Sequence, residues 1–164
     1  MLNSKIKTIY CELLGESLKQ KLQKLEIPQN SVSYYFADEI KLIPATTISQ
    51  ILKGKRNITL DTVEALQDTL ELPNMKSVFF PNINFCESLI HKLIQFILTD
   101  EHFNGENTKK LFQIKEKQIQ KNIFHLAISL YEYFPDFPYE ETSYRIADSL
   151  TEWFIEFVAL VAQL

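Results

Sequence analysis

A chain of 164 residues with 46% apolar side chains and a net charge of −4 has enough hydrophobic matter for a buried core, in one domain or two small ones. That composition excludes a disordered chain, and the longest apolar stretch, FVALVAQL near the C-terminal end, is far too short to span a bilayer. No basic segment followed by an apolar one opens the chain, so a secretory signal is not expected and a cytoplasmic protein with no membrane partner is.

The charge is unevenly placed. Residues 1–74 carry nine basic and nine acidic groups, whereas residues 75–164 carry eight and twelve. Within the first part, residues 41–60 hold Lys41, Lys53, Lys55 and Arg56 and no acid. A polyanion should be met at that one face and repelled elsewhere. Cys11 and Cys86 stand alone in apolar helical patterns without C-x-x-C spacing, which reads as reduced core thiols.

In chain order the pattern predicts helix throughout. Residues 4–25 place Ile6, Ile9, Leu13, Leu14, Leu18, Leu22 and Leu25 three and four apart, one face of a helix, which Pro28 breaks. Residues 32–42 read as a short helix with Phe36 and Ile40 inward. Pro44 suits the first turn of the next helix, and Gly54 suits its C-terminal cap. Thr59 suits an N-cap, followed by Asp61 and by apolar Leu60, Val63, Leu66 and Leu70, with Pro73 as the stop. The stretch PNMKSVFFPN, residues 73–82, marks a boundary, although the adjacent Phe79 and Phe80 should pack on something. Beyond it, three longer helices are expected near 83–99, 108–134 and 139–163.

The stretch IPATTISQILKGKRNITLDTVEALQDTLELP, residues 43–73, carries the chemistry. A helix that reads a DNA groove must offer short polar side chains to base edges while apolar residues lock its other face to a domain. Here Ile48 and Ile51 are the anchors. Ala45, Thr46, Thr47, Ser49 and Gln50 occupy the remaining faces. Lys53, Lys55 and Arg56 follow at the end, where a turn through Gly54 can lie along phosphates.

The order T-I-S-x-I-x-x-G-K-R-N, followed by a capped helix ending in L-x-L-P, resembles the helix-turn-helix of phage repressor and Cro proteins, the xenobiotic-response-element (XRE) class of bacterial regulators. The resemblance implies an all-α chain whose residues 1–74 form a five-helix, lambda-repressor-like DNA-binding domain. It also implies that Ala45, Thr46 and Gln50 touch bases, that Thr47 and Ser49 touch bases or phosphates less regularly, and that Lys53, Lys55 and Arg56 contact phosphates. Ser31 and Ser33 are candidates for further phosphate contacts. Leu66, Leu70 and Leu72 match the apolar spine of the following helix.

Residues 75–164 are expected to be a three-helix dimerisation and effector module. The last helix is apolar nearly all round from Phe157 to Val161, so Trp153, Phe154, Phe157, Leu160 and Val161 are the expected dimer contacts, with closure of the chain's own core as a compatible alternative. The aromatic cluster Tyr131, Tyr133, Phe134, Phe137, Tyr139 and Tyr144 reads either as a packed helical corner or as a pocket for a small molecule or peptide effector. His91, His102 and His125 have no metal spacing, and Asp148, Glu152 and Glu156 read as a solvated stripe rather than an acid–base pair. No phosphate loop or nucleophile motif is present, so neither catalysis, metal nor cofactor is expected. The expected function is a sequence-specific regulator, a repressor by default, binding double-stranded DNA as a homodimer on an inverted repeat. The alternative is an antitoxin or phage-encoded inhibitor whose C-terminal helices bind a protein, with DNA binding only autoregulatory.

Overall fold

The computed structural model describes residues 1–56, 58–136 and 146–164, and these are predominantly helical. Helix α1 (Leu2–Lys24) is followed by a 3-10 turn (Gln29–Ser31), strands β1 (Ser33–Phe36) and β2 (Glu39–Leu42), and helices α2 (Ala45–Leu52) and α3 (Leu60–Thr69). Helices α4 (Lys76–Phe79), α5 (Ile83–Thr99), α6 (Asn107–Ile114), α7 (Glu116–Lys121), α8 (Ile123–Tyr133) and α9 (Ile146–Gln163) complete the described chain.

Residues 32–42 are not the expected helix, and the described residues among 1–74 form three α-helices and a hairpin rather than five helices. The strands pair antiparallel, Phe36 opposite Glu39, around a two-residue turn at Ala37 and Asp38. Both turn residues have positive φ, +52° and +64°, the backbone of the mirror-image turn that matches strand twist. Val32 and Ile43, both buried, clamp the open end of the hairpin, and the Ile43 N–H donates to the Val32 carbonyl at 3.0 Å. β1 packs on α3. Ile40, expected inward, is 62% exposed: all four residues of β2 are exposed, and it is β1 that packs on α3.

The single helix expected over 108–134 is divided into α6, α7 and α8. Its breaks fall at Lys115 and Asn122, where ψ rises to near zero. At Asn122 the side-chain amide donates to the Gln118 carbonyl at 2.7 Å, so a side chain takes up a helix-end backbone group. The expected start of the last helix, residues 139–145, lies outside the described residues.

One buried cluster runs from Ile6 to Val161. α1 contributes Ile6, Tyr10, Leu14, Leu18 and Leu22, and packs against α2, α5 and α9. It therefore touches elements of both sequence segments. The Tyr10 hydroxyl donates to the Phe79 carbonyl at 3.1 Å, and Phe79 and Phe80 are buried beside it. Phe80 stacks on Phe134 with ring centroids 4.3 Å apart. Lys76, almost fully buried, rests its ammonium 3.8 Å from the Tyr131 ring centroid and 4.0 Å from an Asp136 carboxylate oxygen. Cation–π and ionic contacts of this kind compensate its lost hydration.

Candidate nucleic-acid interface

Helix α2 is short, and its position is set by side chains and by backbone contact. Ile48, Ile51 and Leu52 fall on one stripe of the helix and are buried. The last turn of α2 lies on α1 at Gly15, where a Cβ would come within 2.5 Å of the Ile51 carbonyl oxygen. The helix then ends as the sequence suggests. Gly54 takes φ +72°, its N–H donates to the Ile51 carbonyl at 3.0 Å, and the Lys55 N–H donates to the Gln50 carbonyl at 2.9 Å. This is the paired closure that a left-handed residue permits. The turn also rests on α1, since a Cβ on Gly54 would lie 2.5 Å from the Glu12 Cα.

The opposite face of α2 is open. Ala45, Thr46 and Gln50 are exposed, as are Lys53, Lys55 and Arg56, while Thr47 and Ser49 are half-buried. Arg56 folds back over the helix. Its guanidinium donates to the Thr47 hydroxyl and to the Gln50 side-chain carbonyl, each at 3.4 Å. The structure thus gathers Thr47, Gln50 and Arg56 on one surface, with Lys53 and Lys55 on either side of Gly54. Pro44 serves as the N-cap position, one residue before the first helical turn.

The expected N-cap Thr59 and the further phosphate-contact candidates Ser31 and Ser33 make bonds within the chain. Thr59 is the N-cap of α3, but its hydroxyl pairs with that of Thr62 at 3.0 Å. Ser31 is exposed on the 3-10 turn beside α2 and donates its hydroxyl to the Pro28 carbonyl at 2.7 Å. Ser33 is half-buried in β1 and donates its N–H toward the Thr69 hydroxyl at 3.5 Å.

Helix α1 also borders this surface, through residues that the sequence did not single out. A cleft of about 460 Å³ opens between the first turns of α1 and the turn after α2, with Ser4, Lys7 and Thr8 on one wall and Lys53, Lys55 and Arg56 on the other. Only the three- and four-residue spacing of polar positions opposite the apolar stripe of α1 could have signalled that wall. Nothing in the local sequence joins it to residues 53–56.

The expected dimer contacts are already used inside the protomer. Trp153, Phe154, Phe157 and Val161 are buried, and Leu160 is partly buried against the same core. Trp153 stacks on Phe157, and Phe157 meets the edge of Phe112 on α6 at 5.3 Å. The apolar side of α9 faces α1, α6 and α8, so it closes this chain's own core. Ile155, 68% exposed, lies on its outer side.

Among the described members of the aromatic cluster, Tyr131 covers Lys76, Phe134 stacks on Phe80, and the Tyr133 hydroxyl donates toward Glu152 at 3.5 Å. The void beside Phe80, Phe134 and Lys76 is about 10 Å³, too small for an effector. Phe137, Tyr139 and Tyr144 lie outside the described residues. Burial, then the Glu152 and Glu156 carboxylates, push the Tyr133 phenol up. Asp148 accepts from the Asn3 side-chain amide. The three histidines are exposed. Among the described residues no group of three His, Cys, Asp or Glu could hold a metal ion, and no helix is long and apolar enough to cross a membrane. Comparison of the chain with family models, curated proteins and solved structures gives no match.

Proposed function

We propose that the protein is a sequence-specific DNA-binding regulator of the phage-repressor type, with α2 as the helix that enters the major groove. The observation that carries this reading is the open face of α2, where Arg56 is held over Thr47 and Gln50 while Ile48 and Ile51 lock the other side. Gln50 offers the amide that suits adenine, and Arg56 the fork that suits guanine or a phosphate. Both Arg56 bonds are long at 3.4 Å, so the guanidinium can exchange them for a base edge or backbone oxygen at small cost. Lys53 and Lys55 hold phosphates and give the affinity its salt dependence.

Two copies on an inverted repeat, with half-sites one turn or about 10 bp apart, double a contact that spans few base pairs when made once. Repression follows from occupancy of a promoter alone. The test is selection of random duplexes by the purified protein at two salt concentrations, beside Gln50→Ala, Lys55→Ala and Arg56→Ala variants. An enriched palindrome that the Gln50 variant no longer prefers supports the reading. Weak uniform binding that vanishes with salt, or none, removes it.

A second reading is capture of a protein by the C-terminal half, as in an antitoxin or inhibitor. Ile114, Phe124 and Ile155 are the large apolar side chains of that half most exposed to water, and a partner docked there would cover them. A stoichiometric partner retained by Arg56→Ala and lost on Phe124→Ser, Ile155→Ser replacement would establish it.

A further inference from the structure

We infer that the cleft between α1 and the turn after α2 seats the sugar–phosphate backbone of the bound duplex, with Lys7 and Ser4 of α1 donating to phosphates alongside Lys53 and Lys55. The inference rests on the DNA-binding reading and extends it to an element outside the helix-turn-helix.

The geometry supplies the cleft. Ser4, Lys7 and Thr8 are one helical turn apart or less and share the face of α1 that fronts Lys53, Lys55 and Arg56 across about 460 Å³. The glycine contact fixes its floor, because Gly54 lies directly on the α1 backbone at Glu12 and holds the two walls in one relation. Thr8 donates its hydroxyl to the Ser4 carbonyl at 3.0 Å, which leaves the Ser4 hydroxyl and the Lys7 ammonium as the donors of that wall.

Charge then selects the occupant. The cleft lining holds four cations (Lys7, Lys53, Lys55, Arg56) and one carboxylate (Glu12), a net of +3. The whole chain carries −4, so this is a local well for a polyanion on a protein that otherwise repels one. Among the described residues Lys7, Lys53 and Lys55 form no ion pair, whereas Lys5, two residues from Lys7, is bound to Asp100 at 2.7 Å. Two lysines on the same helix therefore differ in availability. One is neutralised by the protein, and the other faces a cavity of its own sign. A single phosphate group would occupy little of such a volume. A strand carrying phosphates in series can meet both walls.

The experiment measures affinity for the selected operator against salt for the full-length wild type and for Lys7→Ala, Lys5→Ala and Arg56→Ala. Lys7→Ala should bind more weakly, with a log–log salt slope shallower by about 0.9, one phosphate contact's worth, and an unchanged ranking of sequences. Lys5→Ala should keep the wild-type slope. A wild-type slope and affinity in Lys7→Ala, with Arg56→Ala impaired, overturns the cleft while leaving the DNA-binding reading intact. Tight binding of ATP by the wild type that Lys7→Ala abolishes, with operator affinity unchanged, overturns it too and assigns the cleft to a free nucleotide. No duplex binding by the wild type removes both. Equal thermal unfolding midpoints for wild type and Lys7→Ala exclude misfolding as the cause.

Discussion

Gly15 of α1 and Ile51 of α2 are in direct backbone contact: a Cβ at Gly15 would lie 2.5 Å from the Ile51 carbonyl oxygen and 2.7 Å from that of Leu52. Two helices meet there at a point where no side chain fits. Gly15→Ala therefore sets two effects against each other. The helix interior gains about 1 kcal/mol in propensity, while forced separation of two packed backbones costs about 1–3 kcal/mol. The obstructing atoms are carbonyls and cannot rotate away, so the net effect should be destabilising. The displaced α2 should also lose operator affinity. Denaturant unfolding of the variant checks the first outcome. A gain in stability would show that the crossing is looser than the glycine contact indicates.

The hairpin turn offers an opposite case. Ala37 and Asp38 both adopt positive φ, a backbone that matches the twist of the flanking strands but that alanine disfavours. Replacing the pair by Asn-Gly should stabilise the protein by about 0.5–1 kcal/mol, because those residues favour this mirror-image turn. The same replacement inside a helix would cost about 1 kcal/mol. The sign of the change in unfolding midpoint thus decides between hairpin and helix for residues 33–42.

That segment also shows what could be read in advance. α1 and the closure of α2 by Gly54 were legible, since an apolar stripe at three and four spacing and a left-handed glycine are local signals. The burial of Phe79 and Phe80 was legible for the same reason. The hairpin was not, because F-A-D-E carries none of the Asn-Gly chemistry that marks such a turn. Its pairing is held instead by Val32 and Ile43 in the core and by β1 on α3, contacts remote in sequence. The apolar surface of α9 was visible, but its occupant was not. Periodicity reports that a face is buried without saying whether a second copy or α1 buries it. Within the candidate site, residues 45–56 could be read together because they are contiguous, whereas no local signal joins Lys7 to residues 53–56, with which it lines a cleft.

Tyr10 links α1 to α4 through a buried hydrogen bond of 3.1 Å to the Phe79 carbonyl. Tyr10→Phe keeps the ring, which meets Phe80 and Phe85, and removes only the donor. The carbonyl is then left without that partner in a buried place, a loss of about 1–3 kcal/mol. Thermal unfolding should show it directly. A change under about 0.3 kcal/mol would mean that another donor replaces the phenol.

Acid should expose the Lys5–Asp100 pair. The hydrogen bond from the Lys5 ammonium, then that from the His102 backbone N–H, hold the Asp100 carboxyl below its usual range. A carboxyl lowered on folding stabilises fully above its unfolded value and loses that stabilisation as pH falls through its folded value. Asp100→Asn should accordingly be less stable than wild type at neutral pH, by a small amount for so exposed a pair. The difference should close in strongly acidic buffer. A constant difference across the titration would assign the effect to packing rather than charge.

The two thiols report on the core and on the cleft. Burial pushes the Cys86 thiol up to about 12, opposed only by the Lys76 ammonium, so at pH 8 about one molecule in ten thousand carries the thiolate. Native Cys86 should then react with a disulfide reagent only as fast as the protein opens. Cys11 is also raised, first by burial, with Lys7 lowering it and Glu12 raising it. It borders the basic cleft and is 7% exposed, where Cys86 is fully buried. The expected order of labelling is Cys11, then Cys86, with both reacting at once in denaturant. A bound duplex seated in the cleft should slow Cys11 further and leave Cys86 unchanged. Mass spectrometry of partly labelled protein resolves the two sites. Duplex protection of neither thiol, under conditions where the duplex is bound, would place the DNA backbone elsewhere than over Cys11.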